Sequence, residues 1–193
     1  MFEVRVHGRG GQGAVTAAEL LSVAAFLDGH EAQAFPSFGS ERTGAPVAAF
    51  CRISDSTIRT REPVLAPSAV AVLDPTLLHH VDLFGGLASD GFVVVNASGP
   101  LEDLHLDGAL RRLPPGHAVT VPAGDISREV LGRPLPNVGL VAGLAALTDV
   151  VTLPSVLAAI DARFGADVAA RNGEVARRCY ETVLDARGVN VDA

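Results

Sequence analysis

The opening part of the chain alternates between apolar and polar positions in a way that predicts a strand, a helix and a second strand. The stretch FEVRVH alternates and then meets a run of glycines, so we predict a strand that enters a turn. Apolar residues between Ala14 and Gly29 recur with the period of a helix, and Gly29 is a typical helix end. The stretch HEAQAF, which Pro36 ends, is a second strand. This order predicts a β-loop-α-β unit whose two strands pair in parallel through a right-handed crossover.

Further along the chain the apolar runs become continuous. SAVAVLD and FVVVNAS are almost wholly apolar, which is typical of strands that are covered on both faces. PVAAFCRIS alternates weakly and DSTIRT follows a predicted turn at Ser54-Asp55, so these two stretches predict a hairpin, and HAVTVPA predicts one more strand. After Gly124 helical patterns take over: a short helix from Asp125, then helices from Pro136 to Asp149, Pro154 to Phe164 and Asp167 to Arg187.

Helical patterns on both sides of a central group of strands are typical of an α/β protein. We therefore predict a three-layer α/β/α domain with a mixed β-sheet. No repeat, low-complexity linker or internal boundary interrupts the pattern, so residues 1–193 are expected to form a single domain.

Charge and residue usage exclude several function classes. The formal net charge is −7 and no basic run is present, which argues against a nucleic-acid partner. All fifteen basic residues are arginine, and the lack of lysine excludes Schiff-base and pyridoxal chemistry and the P-loop lysine. A mean hydropathy of +0.32 with 48% hydrophobic residues predicts an exposed interface and self-association of the isolated chain.

Metal and membrane functions are not expected of this chain alone. An iron–sulfur cluster takes about four thiolates, whereas Cys51 and Cys179 are the two cysteines and are expected to be plain buried residues. His79 and His80 are adjacent, so they point apart on a helix and predict no metal site. With no leader pattern and no apolar run of membrane length, we expect a cytoplasmic protein that does not contact a membrane.

The glycine loop HGRGGQG carries the first functional signal. Gly8, Gly10 and Gly13 satisfy G-x-G-x-x-G, the dinucleotide fingerprint, and the loop opens a helix whose amides could hold a phosphate. A dinucleotide site also needs an acidic residue at the end of the second strand, and that position reads AFPSF. Three alternatives remain open: a stand-alone dinucleotide enzyme, a purely structural turn, and a loop whose Arg9 and Gln12 touch a ligand or another subunit.

A second polar, glycine-containing loop, SFGSERTGAP, follows the second predicted strand. It holds Glu41 and Arg42 between two glycines, and an adjacent Glu-Arg pair is an ordinary surface feature. Long loops inside compact domains are, however, often functional. If the first two predicted strands are parallel neighbours, the two loops that follow them emerge at the same edge of the sheet.

The two loops together carry a family resemblance. The string VHGRGGQGAVTAAELLSVAAFLDGHEAQAFPSFGSERTGAPVAAFCRI, followed by SAVAVLDPTLL, NVGLVAGLAAL and EVARRCYE, resembles the gamma subunit of the 2-oxoacid:ferredoxin oxidoreductases. The pattern is closest to pyruvate:ferredoxin oxidoreductase (pyruvate synthase). Thr43 stands where the family often has another residue, so it is given no role.

The resemblance implies a subunit of an enzyme that is inactive alone. The complex would convert a 2-oxoacid and coenzyme A to acyl-CoA, CO₂ and reduced ferredoxin. Thiamine diphosphate, Mg²⁺ and 4Fe–4S clusters would be held by alpha, beta and ferredoxin-like delta subunits, and ferredoxin would accept the electrons. This chain lacks the G-D-G…N pattern for magnesium-diphosphate, which agrees with that division. Pyruvate, 2-oxoglutarate, indolepyruvate and oxalate all stay open as substrates.

No catalytic or metal-binding residue is expected on this chain. The resemblance and the loop analysis instead imply a contact face near the approach of coenzyme A. Its candidate residues, which would touch a ligand or a subunit, are Gly8, Arg9, Gly10, Gly11, Gln12, Gly13, Ser37, Phe38, Gly39, Glu41, Arg42, Gly44 and Asn137.

Overall fold

The computed structural model describes residues 1–37 and 44–188, which form a six-stranded mixed sheet with helices on its faces. The α/β fold with a mixed sheet is as predicted. The strands are β1 (Phe2–Arg9), β2 (Glu31–Pro36), β3 (Pro46–Ser54), β4 (Ala69–Val72), β5 (Phe92–Asn96) and β6 (Ala118–Val121). The α-helices are α1 (Ala14–Leu27), α2 (Asp107–Leu110), α3 (Ala123–Leu131), α4 (Asn137–Thr148), α5 (Leu153–Arg163) and α6 (Ala166–Arg187), with short 3₁₀ turns at Pro75–His79 and Leu101–Leu104.

The order of the strands corrects the predicted pairing of the first two. The sheet runs β2-β3-β1-β4-β5-β6, with β1, β4, β5 and β6 parallel and β3 antiparallel to both of its neighbours. Strands β1 and β2 therefore point the same way but are not neighbours. The reason is that β3 pairs with β1 at eight positions, from Phe2 opposite Ile53 to Arg9 opposite Pro46, and so occupies the place beside β1.

The hairpin predicted between PVAAFCRIS and DSTIRT is also wrong. The first stretch is β3, but residues 55–60 form no strand. The guanidinium of Arg52 donates hydrogen bonds to the carbonyl oxygens of Thr60 (3.5 Å) and Glu62 (2.6 Å). Because a β3 side chain binds this backbone, the segment lies against the face of the sheet and does not extend its edge.

The two faces of the sheet are covered unequally. Helices α1, α3, α4, α5 and α6 build one large apolar core with residues such as Val4, Val6 and Val94. The opposite faces of β4 and β5 pack against the short helical turns in a smaller cluster. Both faces of β4 and β5 are thus buried, as their continuous apolar runs predicted. The smaller cluster is centred on Val70, Val72, Leu77, Leu83, Val93 and Val95.

The late helices agree with their sequence patterns within two residues. The helix predicted from Asp125 starts at Ala123, and α4, α5 and α6 match the predicted ranges closely. Cys179 in α6 and Cys51 in β3 are free and buried, as expected. Burial raises the pKa of the Cys179 thiol to about 12, although Arg178 opposes this, and burial also raises the pKa of the Cys51 thiol. Among the described residues, no helix is long and apolar enough to cross a membrane.

Candidate functional site at the carboxyl edge of the sheet

The glycine loop joins the carboxyl end of β1 to the start of α1. Gly11 (φ 97°) and Gly13 (φ 82°) have left-handed backbones, which glycine adopts without strain. Gly13 immediately precedes α1 and lies against α4, since a Cβ atom at this position would be 2.6 Å from Nδ2 of Asn137. The loop is therefore compact, and its shape depends on glycine where it meets α4.

The structure brings the end of the second loop onto the glycine loop. The amide of Gly10 donates to the carbonyl of Ala45 (2.9 Å), and the amide of Gly44 donates to the carbonyl of Gly10 (3.2 Å). Ser37 lies just after β2, and its backbone amide donates to the carbonyl of Ala48 (2.9 Å). The other candidates on this loop, Phe38, Gly39, Glu41 and Arg42, lie outside the described residues, and their roles stay predictions.

Arg9 and Gln12 belong to a polar cluster with two residues of the turn that follows β4. The guanidinium of Arg9 donates to Oδ2 of Asp74 (3.1 Å) and to the Thr76 hydroxyl (2.9 Å). It also donates to the carbonyl of Gly44 (3.1 Å). The amide side chain of Gln12 donates to Asp74 (2.8 Å) and accepts from the backbone amide of Arg9 (2.7 Å). We call these four residues, Arg9, Gln12, Asp74 and Thr76, the Asp74 cluster.

Asp74 is the anionic centre of this cluster. Partial burial disfavours its charge, but hydrogen bonds from Thr76 and Gln12 and the charge of Arg9 outweigh that cost and lower its pKa. Its other oxygen accepts from the Thr76 amide (2.9 Å) and hydroxyl (2.6 Å), which fixes the turn after β4. The cluster thus ties β1, β4 and both loops together.

Asp74 and Thr76 were not among the residues predicted for this site. A signal was present, because an aspartate followed by proline comes two residues after the buried strand β4, at the edge where α/β sheets place their sites. Asn96 plays a similar part at the end of β5. It donates to the carbonyl of Leu73 (3.0 Å) and accepts from the amide of Gly124 (2.8 Å), which links β4, β5 and α3.

Two further polar residues lie next to the loop. Asn137 begins α4 and is only 8% exposed, and its side chain makes no hydrogen bond within the described part of the chain. His7 is buried in β1, and burial, helped by the nearby charge of Arg5, lowers its pKa to about 4, so it is neutral at pH 7.

No group of three or more His, Cys, Asp or Glu side chains able to hold a metal occurs among residues 1–37 and 44–188.

Comparison with known proteins identifies the family. The chain matches the pyruvate ferredoxin/flavodoxin oxidoreductase family over residues 3–182. It is 45% identical over 183 residues to the pyruvate synthase subunit PorC of Methanothermobacter thermautotrophicus, covering 95% of this chain and 96% of that subunit. It is 44% identical to the pyruvate/ketoisovalerate oxidoreductases common subunit gamma of Thermococcus litoralis, covering 95% and 98%. The chain belongs to the pyruvate ferredoxin/flavodoxin oxidoreductase family.

Solved structures of known oxidoreductases share the fold. The pyruvate oxidoreductase subunit PORC of Thermotoga maritima superposes with a TM-score of 0.78 at 36% identity, covering 93% of this chain and 95% of that one. A 2-oxoglutarate:ferredoxin oxidoreductase from Magnetococcus marinus contains the same fold at 17% identity in 31% of its chain, with a TM-score of 0.75. This chain is thus a gamma-type subunit of a 2-oxoacid ferredoxin oxidoreductase.

Family membership and strand order both argue against the dinucleotide alternative. In a dinucleotide-binding fold, the strand that follows the first helix pairs in parallel with β1 and ends in the acidic residue that binds the ribose. In this gamma-type subunit, the strand that follows the first helix is β2, and antiparallel β3 separates it from β1. The glycine loop resembles the fingerprint in sequence, but the strand that would complete the site lies elsewhere.

Proposed function

We propose that this chain is the gamma subunit of a pyruvate:ferredoxin oxidoreductase. The complex would convert pyruvate, coenzyme A and two oxidised ferredoxins to acetyl-CoA, CO₂, two reduced ferredoxins and one proton. The observation that carries the proposal is the 45% identity to a pyruvate synthase subunit along 95% of the chain. The chain would work as a single gamma-type domain in the cytoplasm and have no turnover alone.

In this proposal the partner subunits hold the cofactors. Thiamine diphosphate, Mg²⁺ and the 4Fe–4S clusters belong to alpha, beta and ferredoxin-like delta subunits. The placement of the two thiols supports this division. Cys51 lies in β3 and Cys179 in α6, both are buried, and burial raises the pKa of both, so neither presents a thiolate at the surface.

The carboxyl edge of the sheet is the face that we assign to the catalytic subunits. The Asp74 cluster holds the glycine loop and the Gly44 end of the second loop in one arrangement through charged and neutral hydrogen bonds. Residues that are already held in one arrangement give a partner a defined surface and lose little conformational entropy on docking. Near this face, Arg42 or Arg9 would help to receive coenzyme A phosphates.

Coexpression with the candidate partners tests this function. We expect the chain to co-purify with a thiamine-binding chain and a cysteine-rich ferredoxin-like chain, and the complex to reduce ferredoxin with pyruvate and coenzyme A. A panel of 2-oxoglutarate, indolepyruvate, 2-ketoisovalerate and oxalate compares the alternative substrates. Full pyruvate activity in a complex assembled without this chain would contradict the proposal.

A second candidate is a gamma subunit shared by two complexes. The relative from Thermococcus litoralis is named a common subunit of pyruvate and ketoisovalerate oxidoreductases. If the groups that contact substrate lie on other chains, one gamma subunit can serve both substrates. Activity on 2-ketoisovalerate, with a second set of catalytic chains bound to the same gamma subunit, would support this candidate over a dedicated pyruvate subunit.

A further inference from the structure

Helix α1 carries apolar side chains on its exposed side as well as on its core side. The exposed side holds Val23, Phe26 and Leu27, which are 40%, 71% and 50% exposed. These three make up half of the large apolar residues that are exposed in the described part of the chain. We call them the α1 patch. The core side is formed by Ala14, Ala17, Ala18, Leu20, Leu21, Ala24 and Ala25.

The three residues of the α1 patch form one contiguous surface. Positions three and four apart are neighbours on a helix, so Val23 lies beside both Phe26 and Leu27. A single exposed apolar residue is ordinary, whereas a contiguous apolar area marks a contact surface. A helix that is apolar on all sides is normally buried on all sides. Only one of the 14 residues of α1, Glu19, is charged, so the exposed side of α1 is expected to be covered by another protein surface.

The spacing of the α1 patch lets it pack against a copy of itself. Two identical chains that meet across a two-fold axis use the same face, and each contact between them occurs twice. An axis that passes between Val23 and Phe26, perpendicular to the helix, brings Val23 of each copy opposite Phe26 of the other. Leu27 then lies opposite the small side chain of Ser22, which leaves room for it. No charged group enters the centre of this contact.

The charged groups at the two ends of the α1 patch match in the same arrangement. Glu19 lies one turn before the patch, and Arg163 lies 3.9 Å from it. His30 follows the end of the helix, and its Nδ1 lies 2.8 Å from Asp55. Each end therefore carries one carboxylate and one basic side chain. Because the two helices run in opposite directions, the first pair of one copy meets the second pair of the other, and opposite charges can face each other.

The α1 patch has the size of the apolar centre of a small interface. An aromatic side chain offers about 150–250 Å² of surface, and most of that surface is exposed at Phe26. Aromatic residues at the centre of an interface commonly carry much of the binding energy. A standard interface covers about 800 Å² per partner, which the patch alone does not reach. The polar rim must supply the rest, so association is expected to be weak and to depend on concentration.

We propose that the α1 patch binds a second copy of this chain across a two-fold axis, with Val23 of each copy packed on Phe26 of the other. The glycine loop lies at the opposite end of α1, about 20 Å from Phe26 at the rise of a helix. The dimer therefore leaves the carboxyl edge of the sheet free. The inference needs only this chain and does not rest on the proposed function.

Sedimentation equilibrium of the full 193-residue chain over a concentration series tests the proposal. The patch variants are Phe26→Lys and Val23→Glu. The control is Leu65→Lys, because Leu65 is 78% exposed but lies outside α1. The wild type and the control should dimerise with the same Kd. Each patch variant should raise the Kd at least about thirtyfold, since a central apolar contact is lost twice.

A mixture of the two patch variants tests the pairing of positions 23 and 26. In a mixed dimer, the new carboxylate at position 23 of one chain would face the new ammonium group at position 26 of the other. The second Val23–Phe26 contact would be unchanged. Either variant alone would instead bury unpaired charges. We expect an equal mixture to form a mixed dimer at least about tenfold more tightly than either variant dimerises alone.

Four results would overturn the proposal. They are a wild type that stays monomeric at its highest soluble concentration, an equal loss in the Leu65→Lys control, patch variants that dimerise like the wild type, and a mixture that associates no better than its components. A monomeric wild type whose binding to a coexpressed partner chain is lost in Phe26→Lys would assign the patch to that chain instead. Circular dichroism checks that each variant folds, as expected for exposed positions. None of these measurements uses pyruvate turnover.

Discussion

Arginine side chains have different surroundings on the two sides of the glycine loop. In the Asp74 cluster, Arg9 donates to a carboxylate, a hydroxyl and a carbonyl of its own chain. A cleft beside the start of α1, which we call the arginine cleft, is lined by Arg133, Arg163 and Arg171. There Arg133 and Arg171 have no such partner, and none of the described residues that line the space is acidic. The first arrangement holds the protein together, and the second places like charges side by side without a counter-charge among the described residues. Residue type alone does not separate the two, because the guanidinium is the same.

The largest expected effect comes from the loop that joins the two regions. Gly13→Ala should lower the free energy of unfolding by about 2–4 kcal/mol, because its left-handed φ of 82° is strained for alanine and the new Cβ would collide with Asn137. Gly11→Ala is the matched control, since its φ of 97° is also left-handed but no atom lies within 4 Å. It should cost only about 1 kcal/mol. Urea unfolding compares them, and equal losses would mean that contact with α4 is unimportant.

Removing the Arg9 side-chain charge should break the Asp74 cluster. Arg9→Gln is expected to lower the free energy of unfolding by about 1–2 kcal/mol, because Asp74 loses its charged donor while remaining largely buried. Arg177→Gln, at an exposed position without partners among the described residues, should stay within about 0.5 kcal/mol of the wild type. Thermal unfolding at pH 7 measures both. An unchanged melting temperature in Arg9→Gln would leave the ligand role as the better explanation of this residue.

Acid should weaken the Asp74 cluster through one carboxylate. The pKa of Asp74 is lowered in the folded protein from its ordinary value of 3.8, so folding favours the ionised form. The Asp74 charge makes its full contribution to the free energy of unfolding at pH values above the ordinary pKa. That contribution is lost as the pH falls through the lower pKa of the folded state. Asp74→Asn should therefore be less stable than the wild type at neutral pH, and the gap should narrow as the pH drops below about 4.

Urea unfolding at a series of pH values measures this narrowing. The control is Asp161→Asn, because Asp161 is exposed and makes no hydrogen bond within the described chain. It should follow the wild-type pH profile. A gap between Asp74→Asn and the wild type that stays constant into acid would show that the Asp74 charge does not stabilise the fold.

The smallest effect should have the opposite sign. Arg133→Gln removes one of three like charges from the arginine cleft, so we expect the free energy of unfolding to stay unchanged or rise by a few tenths of a kcal/mol at low salt. Added salt should cancel this rise in the free energy of unfolding. Chemical unfolding of Arg133→Gln and the wild type at two ionic strengths measures the difference. A clear loss of stability in the variant would mean that Arg133, like Arg9, has a partner within the chain.

Local pattern determined the elements that need no distant partner. Helices α4, α5 and α6 follow from their spacing of apolar residues, and β4 and β5 follow from continuous apolar runs, because period and burial are written into neighbouring positions. The two glycine-containing loops also stood out, and their combination was enough to indicate the family. These features determined the fold class and the gamma-type assignment.

Tertiary structure decided the order of the strands and the contacts of the site, because these features depend on which distant segments of the chain meet. The place of β3 between β1 and β2 depends on pairing across the sheet, which local alternation does not encode. The sequence does not show that Arg9 bonds within its own chain, because its partner Asp74 lies 65 positions away. The arginine cleft unites segments from both ends of the chain, and only their packing shows that its charges meet without a counter-charge among the described residues.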